Sequence, residues 1–393
     1  MLDDNLKKKL IFLSFLIVDF FASMKVTALT VAAPKIAGFY GLGEKFIPWL
    51  INAYLYSIFI TLCICLLASR SIREKISGKN FFVAGLALFV AGSLVVFFSA
   101  DIRTFFAGEI MQGIGAAIAF IGQMWTMAES YKPEINKPLA WTEIGFVLGI
   151  ISGPFIGGVF SGLYLGSWKL IFIINAVVCL LGLLILVFFY EKKTLEKFEL
   201  RSENKLGKSF YWVIFCEIII GMVAVAGEFI LSVYLQTFRN FSPLVTGLIL
   251  LSASLGVIFG SLKLARSQER DFDKKIKNGL KGMLLASVLM GLSFQLSIIY
   301  LIPLALFIVG GFYGYLGVAI FSYISQILSA NALVKGTIMY LIASQLGNAL
   351  GIQTETFWNL AGHSFLLLIV FVVSLLIVAV FASLQLRNPE EEK

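Results

Sequence analysis

One stretch of the chain reads Gly145-Phe-Val-Leu-Gly149-Ile-Ile-Ser-Gly153-Pro154-Phe-Ile-Gly157-Gly158. Its glycines recur at every fourth position, so on a helix they form one ridge that carries no side chains. Helices in lipid associate through close contact at small residues, and a proline inside a span is tolerated where neighbours replace the lost backbone hydrogen bond. The stretch therefore predicts a membrane helix against whose ridge another backbone packs. A generic small-residue packing face is the simpler interpretation.

The composition of the whole chain is that of a polytopic membrane protein. Apolar residues make up 59% of the 393 positions, charged residues make up 14%, and the mean hydropathy is +0.92. A span needs about 20 mostly apolar residues. Twelve such stretches are found, at 10–33, 46–69, 80–100, 104–128, 139–164, 168–190, 211–236, 243–265, 279–297, 301–328, 334–354 and 364–386. The fold class is thus predicted as all-α, with twelve transmembrane helices.

The distribution of Lys and Arg predicts the orientation of these spans. Of the 31 basic residues, Lys25 lies within the first span, five lie on one side of the membrane and the remaining twenty-five on the other. By the positive-inside rule both termini are cytoplasmic. We expect a multi-pass protein of the cytoplasmic (inner) membrane of a bacterium, in contact with membrane lipid. The net charge of +8 is then a signal of topology and does not indicate a nucleic-acid partner.

A polar stretch divides the chain into two halves. Residues 191–209 contain six Lys or Arg and four Glu, which predicts a cytoplasmic linker between six-helix halves at 1–190 and 210–393. Such repeats are typical of secondary transporters. The four cysteines fall within predicted spans and have no metal-ligand spacing with His363, the one histidine. Neither a metal nor a cofactor is expected, and the chain is expected to be a monomer.

Five ionisable residues are predicted to lie deep within the spans, namely Asp19, Lys25, Glu109, Glu217 and Glu228, while Glu143 lies nearer the inner end of the fifth span. Each costs roughly 3 kcal/mol near mid-membrane, so each needs a partner or a hydrated cavity. Lys25 and Glu109 have similar depths and opposite signs, and they are expected to pair, either as a structural bridge or as part of ion coupling. Glu217 and Glu228 are eleven residues apart, so they share one helix face about 16 Å apart along its axis. Carboxylates on one face suit proton uptake and release.

The Gly-Pro-x-x-Gly-Gly ending of residues 153–158 resembles the fifth-span motif of proton-coupled exporters of the major facilitator superfamily, especially the drug:proton antiporters. Residues 24–34, 49–55, 112–117 and 167–175 are similar to that family's motifs in the first, second, fourth and sixth spans. The resemblance implies the major facilitator superfamily fold, with spans one, four, seven and ten lining a central cavity.

The chain also departs from that family's pattern. Lys25 occupies the position of an acidic residue and Glu109 that of an arginine, so both signs are reversed. The reversal supports their proximity but argues against a simple transfer of the family's proton relay. The family members of closest resemblance have fourteen spans, against twelve predicted here.

The sequence favours a proton-coupled exporter of an amphiphilic small molecule, with sodium as the alternative coupling ion. Candidates for the substrate cavity are Asn52, Gln112, Gln123, Trp125, Tyr234 and Tyr323. Aromatic residues of this kind also form interfacial belts. The second hypothesis is an uptake carrier or facilitator for a specific solute, such as an anion or metal chelate attracted by Lys25. A membrane sensor is a weaker third, and an enzyme is not expected because no catalytic motif is found.

Overall fold

The computed structural model describes residues 4–68, 72, 75–130, 136–189, 206–267, 271–296, 298–328 and 330–387. Twelve long helices account for most of these residues. They are α1 Asp4–Phe39, α2 Trp49–Leu67, α3 Gly78–Phe97, α4 Ile102–Ser130, α5 Asn136–Gly162, α6 Lys169–Phe189, α7 Lys208–Val233, α8 Pro243–Ala265, α9 Phe272–Gln295, α10 Ile302–Ile327, α11 Ala330–Leu360 and α12 Phe365–Ser383. The described residues contain no strand, which confirms the predicted all-α class.

Each helix corresponds to one predicted span, but α1 and α11 are longer than expected. The first span was predicted to end at residue 33, yet α1 continues through Pro34 to Phe39. A proline removes one backbone donor without forcing the chain to leave the helix, and Ile36 and Ala37 are buried beyond it. Helix α11 runs six residues past its predicted end at residue 354. Within the described residues, every helix except α9 and α11 has an apolar window long enough to cross a membrane.

Contacts divide the chain into two compact units, Met1–Glu199 with Ser242–Leu244, and Leu200–Phe241 with Val245–Lys393. In the first unit α1 packs against α5 and α6, while α4 packs against α2 and α3, and α3 also contacts α6. These contacts place α1 and α4 in the interior of the unit. The predicted linker 191–209 lies largely outside the described residues, so the proposed boundaries of the halves stay a prediction.

In the second unit α7 packs against α10, α11 and α12, and α9 packs against α10 and α12. Its core is apolar and includes Phe210, Ile276, Leu316 and Tyr323, none of which is exposed. Helices α8 and α10 approach closely at glycines, since a Cβ added to Gly256 would overlap a backbone carbonyl of α10. Small residues thus set helix spacing in this unit too.

Candidate functional site

The glycine ridge of α5 lies directly against the backbone of α1. A Cβ added at Gly149 would overlap the Phe20 carbonyl, and one added at Gly157 would overlap the Ala28 carbonyl. A Cβ at Gly145 would lie 2.9 Å from the Leu16 carbonyl oxygen. Only glycine permits this spacing, so the predicted close packing exists and its partner is α1. We call this contact the α1–α5 seam.

Pro154 and Gly153 act together in the α1–α5 seam. A proline at position 154 has no N–H to donate to the carbonyl of Ile150, four residues earlier. Thr27 of α1 supplies the missing donor, because its Oγ1 lies 3.1 Å from the Ile150 oxygen. Gly153 provides the room, since a Cβ there would overlap Thr27 Oγ1. The glycine-proline pair therefore exchanges an intrahelical hydrogen bond for one between helices.

A second bond of the same kind lies one turn along α1. Ser23 Oγ donates to the Phe146 carbonyl oxygen at 2.7 Å. The two hydroxyls are four residues apart on α1 and reach carbonyls four residues apart on α5, so they follow the glycine ridge. The α1–α5 seam is consequently tied by polar bonds as well as by packing.

Lys25 and Glu109 form the predicted pair. Lys25 Nζ on α1 lies 2.8 Å from Glu109 Oε2 on α4, and both side chains are fully buried. The ammonium also lies 3.6 Å from the centroid of the Tyr54 ring and 5.5 Å from that of Phe172. Aromatic faces attract a cation, so α2 and α6 enclose the pair that joins α1 to α4. Although both charges are opposite to those of the family pattern, Lys25 and Glu109 thus still form an ion pair between α1 and α4.

Polar atoms of α4 beside this pair are incompletely satisfied. Within the described residues, Glu109 Oε1 and both amide atoms of Gln112 are buried and have no hydrogen-bond partner. Gln112 lies one turn after Glu109 and leans against Gly92 of α3. Asn52 of α2 is fully buried as well. Among the described residues, the interior of the first unit therefore contains buried polar atoms without hydrogen-bond partners, which is unusual in a packed protein core.

Asp19 and Gln123 are also brought together. Gln123 Nε2 donates to Asp19 Oδ2 at 2.7 Å, which joins α1 to α4 a second time. Gln123 is 1% exposed, whereas Asp19 is half-buried. Two of the predicted acidic sites thus lie on contacts between the same two helices.

The two carboxylates of α7 lie in different surroundings. Glu217 is 2% exposed and Glu228 is partly exposed. Because α7 is continuous from Lys208 to Val233, the two share a face as predicted. Within the described part of the chain, Glu228 has no hydrogen bond or ion pair. A membrane carboxylate without a protein partner requires water, an ion or a proton.

The aromatic candidates lie in packed positions. Trp125 is 2% exposed and stacks on Phe81 with ring centroids 5.3 Å apart. Tyr323 is fully buried and donates its hydroxyl to the Arg387 carbonyl at 2.8 Å. Trp125 therefore packs α4 against α3, and Tyr323 joins α10 to the residues after α12. Their role in a substrate cavity remains a prediction.

Tyr234 directly follows the last residue of α7. Residues Tyr234–Phe238 form a π-helical turn, a feature found frequently at functional sites. Arg239 Nε donates to the Tyr234 hydroxyl at 2.7 Å, and the Tyr234 ring contacts Phe365 edge-on. The half-buried ring is the most accessible of the three aromatic candidates.

Sequence reasoning missed Glu355 of α11, which is fully buried and accepts a hydrogen bond from Asn359 Nδ2 at 2.7 Å. The predicted eleventh span stopped at residue 354, one residue short of it. Apolar content alone set that boundary, whereas the helix continues to Leu360. The signal was the polar spacing of Asn348, Glu355 and Asn359, which repeats at seven and four residues.

The family model of the Major Facilitator Superfamily matches residues 13–352, which include every part of the site that precedes the end of α11 with Glu355 and Asn359. The chain belongs to this superfamily. Proteins of this superfamily are membrane transporters that bind small-molecule substrates. The polar contacts between α1 and α4 and the α1–α5 seam both lie within the part of the chain that matches this family.

Three proteins of similar sequence have names that refer to different solutes. The chain is 29% identical over 156 residues to a methylenomycin A resistance protein of Bacillus subtilis, covering 39% of this chain and 32% of that protein. It is 26% identical over 195 residues to the riboflavin transporter RibZ of Clostridioides difficile, covering 49% and 41%. A putative multidrug resistance protein MdtD of Salmonella paratyphi B is 27% identical over 178 residues, covering 45% and 37%. The chain matches 32–41% of the length of these relatives.

Solved structures share the fold over nearly the whole chain. A D-xylose-proton symporter has a TM-score of 0.74 at 15% identity, covering 98% of this chain and 99% of that one. A bacterial homologue of the human lysosomal transporter Spinster, inward-facing and unoccupied, has a TM-score of 0.74 at 13% identity, covering 98% of both chains. These similarities confirm the predicted fold.

Proposed function

We propose that the protein is a proton-coupled exporter of amphiphilic small molecules. The observation that carries the proposal is the α1–α5 seam, in which Gly153 and Pro154 let Thr27 bond to the opposite backbone. This segment resembles the fifth-span motif of antiporters. Two of the relatives described above are named as resistance proteins, a name that fits export.

Glu228 is the leading candidate for the proton carrier. It is partly exposed, and the described residues give it no hydrogen bond or ion pair, so no protein group compensates a charge on this carboxylate. Glu217 lies three turns away on the same face and is the second carrier on the same path. Asp19, held by Gln123, is the counterpart in the first unit.

Lys25 and Glu109 have a different role in this proposal. Their charges compensate each other at 2.8 Å inside a closed environment of helices and rings. If Lys25 lost its proton or Glu109 gained one, the other residue would keep a buried charge without a partner, which is costly. The pair therefore fixes α1 to α4 and does not exchange protons in each cycle.

The second candidate function is uptake of a specific solute, which the name of the riboflavin transporter favours. An anionic solute would need an accessible cation. Lys25 does not provide one in this structure, because its side chain is fully buried against Glu109. Uptake would then use other residues for recognition.

Transport in proteoliposomes tests both functions. Cationic, neutral and anionic amphiphiles are supplied with and without an imposed pH gradient, and accumulation is measured in the export and uptake directions. We expect gradient-driven movement of amphiphiles in the export direction. Movement of an anion alone, down its own gradient and indifferent to pH, would exclude the proposed exporter.

Replacement of Glu228 by Gln tests the carrier. The amide keeps the size of the side chain and removes titration, so uphill transport should be lost while substrate exchange without a gradient persists. Glu217→Gln should reduce uphill transport as well. Glu44→Gln, at an exposed position before α2, is the matched control and should change neither activity. Normal uphill transport with Glu228→Gln and Glu217→Gln combined would place coupling elsewhere, with Asp19 as the next residue to test.

A further inference from the structure

A groove opens on the surface of the second unit between α9 and α12. Its volume is about 260 Å³, and its walls are Lys281, Leu284 and Leu285 of α9 and Ile377, Val380 and Phe381 of α12. Five of the six lining residues are apolar. Leu285 is 69% exposed and Phe381 is 65% exposed, so the groove is open along its length.

The groove has one basic end. Lys277 Nζ lies 3.2 Å from the Leu386 carbonyl oxygen, which sets the start of α9 level with the residues after α12. One turn further along α9 comes Lys281, level with the last turn of α12. Leu285 of α9 and Ile377 of α12 follow about 6 Å deeper. The ammonium group of Lys281 thus lies at one end of the apolar groove. The distribution of basic residues predicts that this end is cytoplasmic.

Lys281 differs from its basic neighbours. Lys274 is 2.8 Å from Asp271, and Lys277 is 3.3 Å from Asp273. Within the described residues, no acid or hydrogen-bond acceptor is paired with Lys281, and its side chain is exposed. A long basic side chain at this level extends its ammonium towards lipid headgroups while its stem stays on apolar surface.

The surroundings of the groove suit lipid and not a water-soluble ligand. Only 17% of the apolar window of α12 is buried, the smallest share among the candidate spans of the described residues. Contiguous apolar surface of this kind is rare on proteins in water. Basic residues beside membrane helices attract anionic lipids.

We propose that the groove between α9 and α12 binds an anionic phospholipid, with one acyl chain along Leu284, Leu285, Ile377 and Val380 and the phosphate at Lys281. The proposal does not depend on the transported substrate. It assigns to this face a lipid-binding site in addition to the transport path.

Native mass spectrometry of the purified full-length protein tests this assignment. The protein is titrated with dioleoyl phosphatidylglycerol and, separately, with dioleoyl phosphatidylcholine, and the bound fractions are compared. We expect tighter binding of phosphatidylglycerol, and a loss of about fivefold in its affinity with Lys281→Gln, as one interfacial cation contributes. Lys263→Gln, which removes an exposed lysine in the last turn of α8, is the matched control and should change little.

Two further arms separate the lipid from other occupants. Val380→Trp fills the groove and should weaken both lipids, and millimolar inorganic phosphate should not compete with phosphatidylglycerol. Equal affinities of the two lipids, equal effects of the two lysine variants, or competition by free phosphate would each overturn the proposal. Disulfide-linked dimers formed by Phe381→Cys in vesicles of phosphatidylglycerol would assign the groove to a second copy of the chain instead.

Discussion

The α1–α5 seam of the first unit and the contact between α7 and α11 in the second have the same register and different chemistry. Gly145 lies against Leu16 and Gly149 against Phe20, while Gly347 lies against Ile218 and Gly351 against Met222. In every pair the residue numbers differ by 129. The two contacts are therefore equivalent, with positions of the second unit 202 residues further along the chain.

Beyond these shared glycines the two contacts diverge. The first continues with Gly153 and Gly157, whereas the equivalent positions of the second are Glu355 and Asn359, which are hydrogen-bonded to each other. Direct contact with the backbone is replaced by a polar pair in which Glu355 is fully buried and Asn359 partly exposed. The part of the first unit that resembles the antiporter motif is therefore not shared by both halves. It depends on the glycines at positions 153 and 157.

The interiors of the two units differ in the opposite sense. The offset of 202 residues between α1 and α7 relates Lys25 to Gly227. A Cβ at Gly227 would lie 2.7 Å from the Met290 methyl, so an apolar side chain fills the space next to that position. The first unit thus has a buried ion pair at Lys25 and glycines in its seam, while the second has an apolar neighbour at the position equivalent to Lys25 and a buried glutamate, Glu355, in its seam.

The largest expected effect tests the charged interior. Lys25→Ala or Glu109→Ala leaves one buried charge without its partner and should destabilise the protein by about 3–5 kcal/mol. The exchange of Lys25→Glu with Glu109→Lys should be milder, and Lys25→Met with Glu109→Leu, which replaces the ion pair by apolar side chains, should be milder still. Thermal unfolding in detergent measures these four and the double variant Lys25→Ala with Glu109→Ala. If the effects of the two single alanine substitutions simply add in that double variant, the two residues do not interact.

Gly153→Leu comes next and tests the unsubstituted seam. The new side chain would collide with Thr27, and such overpacking costs about 1–3 kcal/mol or more. We expect lower yield of folded protein and proton leakage through reconstituted vesicles. Gly162→Leu, at the end of the same helix with open space around it, is the control. If both variants behave alike, the seam has no special role.

Much of this comparison could be predicted from the sequence, and the remainder depended on helix ends. Apolar runs of span length determined the number of helices, and the spacing of Gly145 to Gly157 predicted a close helix contact. The opposite charges and equal depth of Lys25 and Glu109 predicted their pairing. Glu355 was missed because it follows the last apolar run, although packing against α7 keeps the helix intact there. Burial of Tyr323 and Trp125 depends on neighbours distant in sequence, which composition does not reveal.

Glu355 provides the third test, on the polar side of the comparison. Glu355→Ala removes the acceptor of the Asn359 amide and should cost about 1–3 kcal/mol. Glu355→Gln keeps an acceptor oxygen at the same position, so we expect a smaller loss in thermal stability. Equal losses would mean that the charge of Glu355, and not its hydrogen bond to Asn359, is what the seam requires.

The smallest effect concerns the bond between Thr27 and Ile150. Thr27→Val keeps the shape of the side chain and removes the donor, so the Ile150 carbonyl loses the partner that Pro154 already denies it within the helix. We expect a loss of about 1 kcal/mol in the free energy of unfolding. Pro154→Ala restores an N–H at position 154 and makes the threonine redundant. In that background Thr27→Val should cost less, which a double-mutant cycle of unfolding free energies measures. A zero coupling energy between the two substitutions would show that the hydroxyl does not replace the missing backbone donor.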